Sequence, residues 1–260
     1  MPRGYRVGVD TSPVTRAHAF STMFNFRDLG GYAGIDGRTV RWRRLFRSDS
    51  LHRLNGTELD GVDQEAFAAL GVRTVVDLRR PHEVTRDGRV PEYAGLAYHH
   101  IHPEHAEWRA SQYANESLER WLADRYLDLA RDGAAGIGRA LSVIADPDAA
   151  PVVIHCVAGK DRTGVVCGLT LALLGVSDDD IAEDFALSTA ASAAFTAWLR
   201  ATRPELPDLP APFLASPAGA MRAFLADLRE RYGSVPAYVE HAGLTPRQVD
   251  AMRAHLLTED

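Results

Sequence analysis

Apolar residues recur along this chain with two different spacings, and the alternation between them is its most informative bulk feature. From Val72 to Leu78 the run VRTVVDL is compact and β-branched, which predicts a buried strand. Leu96–Ile101 is a weaker strand signal, and Pro151–His155 (PVVIH) is a second short apolar one. Between and after these the spacing changes to three and four. Leu118, Trp121, Leu122, Tyr126 and Leu129 mark one face of a helix within Trp108–Ala130, a core stripe. Further helices are predicted over Asp63–Leu70 (closed by Gly71), Ile137–Ala145, Thr163–Leu174, Ala218–Arg231 and Pro246–Leu257, the last with proline at its first position. Ser177 followed three residues on by Asp180 resembles a capping box for one more. Near the start, Gly30-Gly31 and Asp36-Gly37 punctuate a turn-rich β region, with a short hairpin arm over Thr39–Phe46. Strands alternating with helices predict an α/β layer fold around a mostly parallel central β-sheet flanked by helices. Residues 188–216, which include a Pro-rich patch from Arg203, fit no element well and are a candidate cover.

Composition narrows the function classes. The chain has 260 residues, 46% apolar and 25% charged, enough to bury a core without disulfides or metal. A net charge of −6 disfavours a nucleic-acid partner. No apolar run is long enough to predict a transmembrane segment, and Met1–Thr15 carries no apolar signal region. The expectation is a cytoplasmic protein, or one exported without a standard signal peptide. The two cysteines, Cys156 and Cys167, lie in one segment and are too far apart along a helix to bridge. Of the 29 lysines and arginines only Lys160 is a lysine. Its place four residues after a cysteine argues for a role.

The stretch Ile154-His155-Cys156-Val157-Ala158-Gly159-Lys160-Asp161-Arg162-Thr163-Gly164 joins the strand PVVIH to a helix starting near Arg162. Such a loop can turn its N–H groups inward as an anion nest backed by a helix N-terminus, with Gly159 letting the backbone curl. Val157, Ala158, Gly159, Lys160, Asp161 and Arg162 are the candidate phosphate-binding residues. A thiol at the mouth of that nest is favoured as thiolate, which makes Cys156 a candidate nucleophile. Arg162 can hold two phosphate oxygens in its planar fork, and the Thr163 hydroxyl is placed to donate to the Cys156 sulfur. Lys160 would add a second positive charge at the mouth and favour multiply charged substrates. A Walker loop is excluded because Asp161 follows Gly159-Lys160 where serine or threonine is required. No second cysteine lies at metal-ligand spacing. His99, His100, His102 and His105 lack companion carboxylates, so neither a metal nor another cofactor is expected.

The sequence HCVAGKDRTG resembles the catalytic loop of the cysteine phosphatase superfamily. Its Gly-Lys-Asp-Arg-Thr form is similar to the atypical bacterial tyrosine and lipid phosphatases typified by mycobacterial protein tyrosine phosphatase B. Phe24–Asp28, Arg44–Ser48, Asp77–Arg79 with Glu83-Val84, and Tyr232–Ser234 with Tyr238 and Gly243 share the likeness. The resemblance implies one phosphatase domain over 1–260 with a helical lid, here within 188–216. It implies phosphate transfer from phosphotyrosine, and also from phosphoserine, phosphothreonine and phosphoinositides, through a phosphocysteine at Cys156 without metal. The partner is then a phosphorylated protein or phosphoinositide. The oligomeric state stays open.

Leaving-group departure needs a proton donor, and two aspartates compete. Asp161 sits in the loop, and the resembling family is thought to use it. Asp77 ends a strand, where the carboxyl ends of a parallel sheet point at a site, but it can equally anchor loop N–H groups or Arg79. Asp161 is favoured, with Asp77 the alternative acid. Arg27 and Asp28 are expected as a buried supporting pair, again from the resemblance. The arginines at 41, 43, 44 and 47 are expected as a solvated face with one or two structural pairs. His155 is expected to order the loop, and Cys167 to be an inert core thiol. A catalytically silent phosphate-binding module is the alternative function.

Overall fold

The computed structural model describes residues 15–56, 61–108, 113, 117–202, 204–205 and 211–259. Most of Met1–Thr15, parts of the helical stripe's first turns and parts of the 188–216 cover therefore lie outside the described residues. A five-stranded sheet forms the middle layer. Its strands are β1 (Arg27–Asp28), β2 (Leu45–Ser48), β3 (Thr74–Asp77), β4 (Ala97–His100) and β5 (Val152–His155), in the order β1-β2-β5-β3-β4. Only β1 runs antiparallel to its neighbour. The expected mostly parallel sheet is therefore present, with β5 at its centre.

The strands read as continuous apolar runs because both faces are covered. Val76, Val152 and Ile154 project into one core with Trp121, Tyr126, Leu129 and Ile137. Their neighbours Val75 and Val153 project into the other with Phe26, Phe46 and Phe67. The two-residue period of a strand thus feeds two cores from one short sequence.

The helices are α1 (Val62–Ala69), α2 (Pro81–Asp87), α3 (Leu118–Asp132), α4 (Ala134–Ala145), α5 (Asp161–Leu173), α6 (Asp178–Ala186), α7 (Ser188–Thr202), α8 (Ala211–Leu214), α9 (Ala218–Tyr232), α10 (Val235–His241) and α11 (Pro246–Leu256). Nearly every side of α5 is buried, which its unbroken apolar sequence requires. The side chains of Ser117, Ser177, Ser234 and Thr245 each accept from a backbone N–H in the first turn of α3, α6, α10 and α11. Among the described residues no helix is long and apolar enough to cross a membrane.

Three expectations change. The hairpin arm over Thr39–Phe46 is interrupted rather than continuous, pairing antiparallel with residues 28–33 at Thr39, Val40, Leu45 and Phe46 but not between. Thr39 bridges Ala33 and Val40 bridges Leu257, Arg43 turns the chain at φ 60°, and β2 begins only at Leu45. Within this break the Asp28 carboxylate accepts the Arg43 N–H at 2.7 Å. The helical stripe begins at Leu118 under its Ser117 cap rather than at Trp108. The segment from Ser188 opens with a regular fifteen-residue helix, α7.

Helix α4 meets the end of α10 at Gly138, where an added Cβ would lie 1.8 Å from the Ala242 carbonyl oxygen. Since backbone cannot yield as a side chain can, Gly138→Ala should destabilise the fold by about 1–3 kcal/mol. Urea unfolding of the variant checks this; an unchanged midpoint would show that the two helices separate freely.

Candidate active site

Strand β5 delivers Cys156 at its carboxyl end, and α5 begins five residues later at Asp161. The intervening peptide groups share one orientation. The Cys156 carbonyl accepts from Ser50 Oγ at 3.3 Å, and the Val157 carbonyl from Ser50 N and Oγ, both at 3.1 Å. The Ala158 carbonyl accepts from Asn25 Nδ2 at 2.9 Å, and the Gly159 carbonyl from the Arg47 guanidinium at 2.6 Å. The Lys160 carbonyl accepts from Gly164 N at 2.7 Å. Five successive carbonyls are therefore held by donors outside the loop, which turns the N–H side of those peptides toward its interior. Gly159 has φ +64°, and a Cβ there would lie 2.3 Å from the Ser48 carbonyl oxygen. Both the conformation and the space exclude a side chain.

Cys156 is buried, with 2% exposure. Arg162 points to the same end of the sheet. Its guanidinium is gripped by Glu83 from α2, at 2.7 Å and 3.2 Å, and by the Leu78 carbonyl at 3.1 Å. Glu83 also accepts the Arg80 N–H at 2.6 Å, so one carboxylate caps α2 and orients Arg162. Burial would raise the Glu83 carboxyl, but Arg162 outweighs this and holds it below its ordinary value. Thr163 Oγ1 is buried without a hydrogen-bond partner among the described residues, so the expected donation to the Cys156 sulfur is not made here.

Lys160 does not stand free at the mouth. It is 1% exposed, and its Nζ donates to the carbonyls of Phe213 and Ala215 at 3.0 Å and 2.9 Å. It also lies 3.5 Å from Asp161 Oδ1. Its ammonium is therefore turned onto residues 213–215 rather than toward open solvent. That segment, with Phe195 of α7, lines a pocket against Val157, Ala158 and Asn25.

The two candidate acids are placed differently. Asp77 is fully buried and accepts from Arg79 Nε, Nη2 and backbone N, and from the Tyr98 hydroxyl at 2.8 Å. Burial alone would raise its carboxyl, but His155 and Arg79 together hold it well below the ordinary carboxylate range. Asp77 is therefore held in contact with Arg79 and Tyr98 by four hydrogen-bond donors. Asp161 retains 24% side-chain exposure and accepts from the Tyr126 hydroxyl at 2.7 Å.

Behind the loop the expected Arg27–Asp28 pair is absent. Adjacent residues of a strand face opposite sides. Asp28 accepts backbone N–H groups of Gly30 and Arg43, while Arg27 reaches Asp184 of α6 at 2.8 Å. Asp184 also binds Arg47 at 2.7 Å, and Arg27 and Arg47 are both buried. Arg47 is therefore a buried link from Asp184 to the loop, not part of a solvated face. Burial pushes the Asp184 carboxyl up, but the two guanidinium groups overcome it and leave it at about 2. His155 donates toward the Cys156 carbonyl at 3.2 Å and lies 3.5 Å from Asp77, while burial lowers its ring. His100 and His105 bond the Arg79 and Pro103 carbonyls. Burial raises the Cys167 thiol to about 12, as befits an inert core thiol.

A family model described as the tyrosine phosphatase family matches residues 18–258. A provisionally named tyrosine-protein phosphatase of Cupriavidus necator is 33% identical over 258 residues, spanning 92% of this chain and 88% of that one. The triple specificity protein phosphatase PtpB of Mycobacterium tuberculosis is 30% identical over 279 residues, spanning 90% and 96%. A tyrosine-protein phosphatase of Nostoc commune is 28% identical over 221 residues, spanning 76% and 70%.

Asp184→Asn would leave two buried guanidinium groups facing a neutral amide, and should cost about 3–5 kcal/mol. The sign with pH follows from the depressed carboxyl. The native contribution is complete above the ordinary value of 3.8 and is lost as pH falls through about 2. Chemical unfolding at pH 7 and near pH 2 should therefore show a large gap between native and variant at neutrality that narrows in acid. A gap independent of pH would contradict this assignment.

Proposed function

The chain belongs to the tyrosine phosphatase family, and from that premise we propose that Cys156, Arg162 and Asp161 carry out the dephosphorylation that makes it a protein tyrosine phosphatase. The observation that carries the proposal is the outward hold on five consecutive loop carbonyls beside a buried cysteine and a clamped arginine. The amides of Val157 to Arg162 then receive the three non-bridging phosphate oxygens, and Arg162 adds two N–H donors as its hold on Glu83 adjusts. The Cys156 thiolate attacks phosphorus; the bond to the substrate oxygen breaks and its electron pair leaves with that oxygen, which takes a proton from Asp161. Water then attacks the phosphocysteine, returns a proton to Asp161 and frees inorganic phosphate and the thiolate. The buried, unpartnered Thr163 hydroxyl is a donor available to the departing sulfur.

The pinning of Asp77 by Arg79 and Tyr98 supports Asp161 as the acid, since a carboxylate held ionised cannot supply a proton. We read the chain as a single phosphatase domain in which α7, α8 and residues 213–215 form a cover, tied down by Lys160. Activity on phosphoserine, phosphothreonine and phosphoinositides belongs to the same reading. The printed name of the mycobacterial relative supports breadth of substrate, and an ammonium beside the loop suits a second phosphate once the cover lifts.

Cys156→Ser should abolish hydrolysis of para-nitrophenyl phosphate and of a phosphotyrosyl peptide while leaving binding of inorganic phosphate measurable by calorimetry. Retained turnover would mean another nucleophile, and in the native protein binding without turnover would mean a silent phosphate-binding module. Lys160→Ala should lower phosphoinositide turnover relative to phosphotyrosine turnover by about ten-fold, the scale of one charge-assisted contact. An unchanged ratio would remove the lysine from substrate selection.

A further inference from the structure

A carboxylic acid that must give up one proton at one place has a problem of identity, because its two oxygens are equivalent until something distinguishes them. At Asp161 something does. The Tyr126 hydroxyl donates to Oδ1 at 2.7 Å, and Lys160 Nζ lies 3.5 Å from the same atom. No hydrogen bond reaches Oδ2 among the described residues. An oxygen that already accepts a hydrogen bond and faces an ammonium is a poor site for a proton, since the proton would compete with the Tyr126 donor and be repelled by the positive charge.

Tyr126 is unusual as a donor. It comes from the middle of α3, it is fully buried, and its ring stands edge-on to Phe185 and Phe224 with centroids 5.7 Å and 6.1 Å away. A buried tyrosine needs some partner for its hydroxyl, and a backbone carbonyl is the ordinary solution. Tyr238 takes that solution, donating to the Ala130 carbonyl at 2.8 Å. Tyr126 instead spends its hydroxyl on a charged side chain of the candidate catalytic loop. The side chain it holds is about a quarter exposed while the tyrosine is sealed, so one end of the pair is rigid and the other opens outward. Burial and the neighbouring Asp161 push the phenol far above its ordinary value, which keeps it a donor across the working pH range.

We propose that Tyr126 is a positioning residue for proton transfer, fixing the Asp161 carboxyl through Oδ1, which the Lys160 ammonium also faces, and reserving Oδ2 for the transferable proton. The proposal rests on the reading of Asp161 as the acid. In the first step the bond from phosphorus to the leaving oxygen breaks as the Cys156–phosphorus bond forms. The proton on Asp161 Oδ2 passes to that oxygen, and Tyr126 and Lys160 hold Oδ1 while the carboxylate appears. In the second step Oδ2 takes the proton back from the attacking water. Tyr126 touches neither substrate nor phosphorus.

The test exploits leaving groups. Phenyl phosphate needs protonation as it departs, whereas para-nitrophenolate leaves readily as the anion. The quantity to measure is kcat/KM for phenyl phosphate divided by kcat/KM for para-nitrophenyl phosphate on one preparation. That ratio does not depend on how much of the protein is folded, so a destabilised variant still reports. Tyr126→Phe keeps the ring and removes only the hydroxyl; it should lower the ratio about ten-fold. Asp161→Asn should lower it further, and the double variant should be no lower than Asp161→Asn alone. A fall in the ratio for Asp161→Asn with a Tyr126→Phe ratio within about two-fold of native overturns the positioning role. Additive losses in the double variant overturn it too. An unchanged ratio in Asp161→Asn identifies a different failure, that of Asp161 as the acid.

Discussion

The polarity of one short stretch of backbone governs this molecule. Carbonyls 156 to 160 all point away from the loop's centre, and none could do so unaided, since buried carbonyls demand donors. Ser50, Asn25 and Arg47 supply most of them, from two chain segments, one around β1 and one at the end of β2, both far from the loop in sequence. Those donors must in turn be held. Asn25 also bonds Ser188 at the start of α7 and accepts from Arg27, and Arg47 is fixed by Asp184. The loop is thus the innermost layer of a network that ties β1, β2, β5, α6 and α7 to one another.

Charge counting within that network explains its chemical bias. Arg162 is matched by Glu83 and Lys160 has Asp161 beside it, but Arg27 and Arg47 share the single carboxylate of Asp184. One buried positive charge is left behind the loop without a side-chain counterion among the described residues. Burial would lower the affinity of Arg47 for its proton, but the Asp184 carboxylate outweighs this and raises it. An anion at the loop would complete a balance that the fold leaves open, although the protein as a whole is acidic.

The loop was legible in the sequence because strand, turn and helix follow one another within eleven residues, so the local pattern holds all the information. The parallel sheet was legible for a similar reason: its runs are apolar on both faces and need no partner to be recognised. The supporting residues were not. Glu83, Tyr126 and Asp184 reach Arg162, Asp161 and Arg47 across long stretches of chain, and no spacing rule connects them. A faint signal existed for Glu83, since Pro81 and Glu83 occupy the first and third positions of α2, but seven residues are too few for periodicity to show. The pairing of Arg27 with Asp28 failed for the opposite reason. Proximity in sequence suggested contact, while the pleat of β1 sent the two side chains to opposite faces.

Lys160 shows how the same site decides a residue type. The chain uses arginine at every other cationic position, yet keeps lysine here. The ammonium meets three acceptors, the carbonyls of Phe213 and Ala215 and Oδ1 of Asp161. Three protons arranged around a compact point can serve three acceptors converging from different directions, whereas a guanidinium directs its donors within one plane and needs more room. Arginine at 160 would have to abandon one of the three or push the covering segment away. Two of those acceptors belong to residues 213–215 and the third to Asp161, so one ammonium is shared between that segment and the carboxylate. The placement of residues 213–215 and the surroundings of Asp161 are therefore physically linked in this fold.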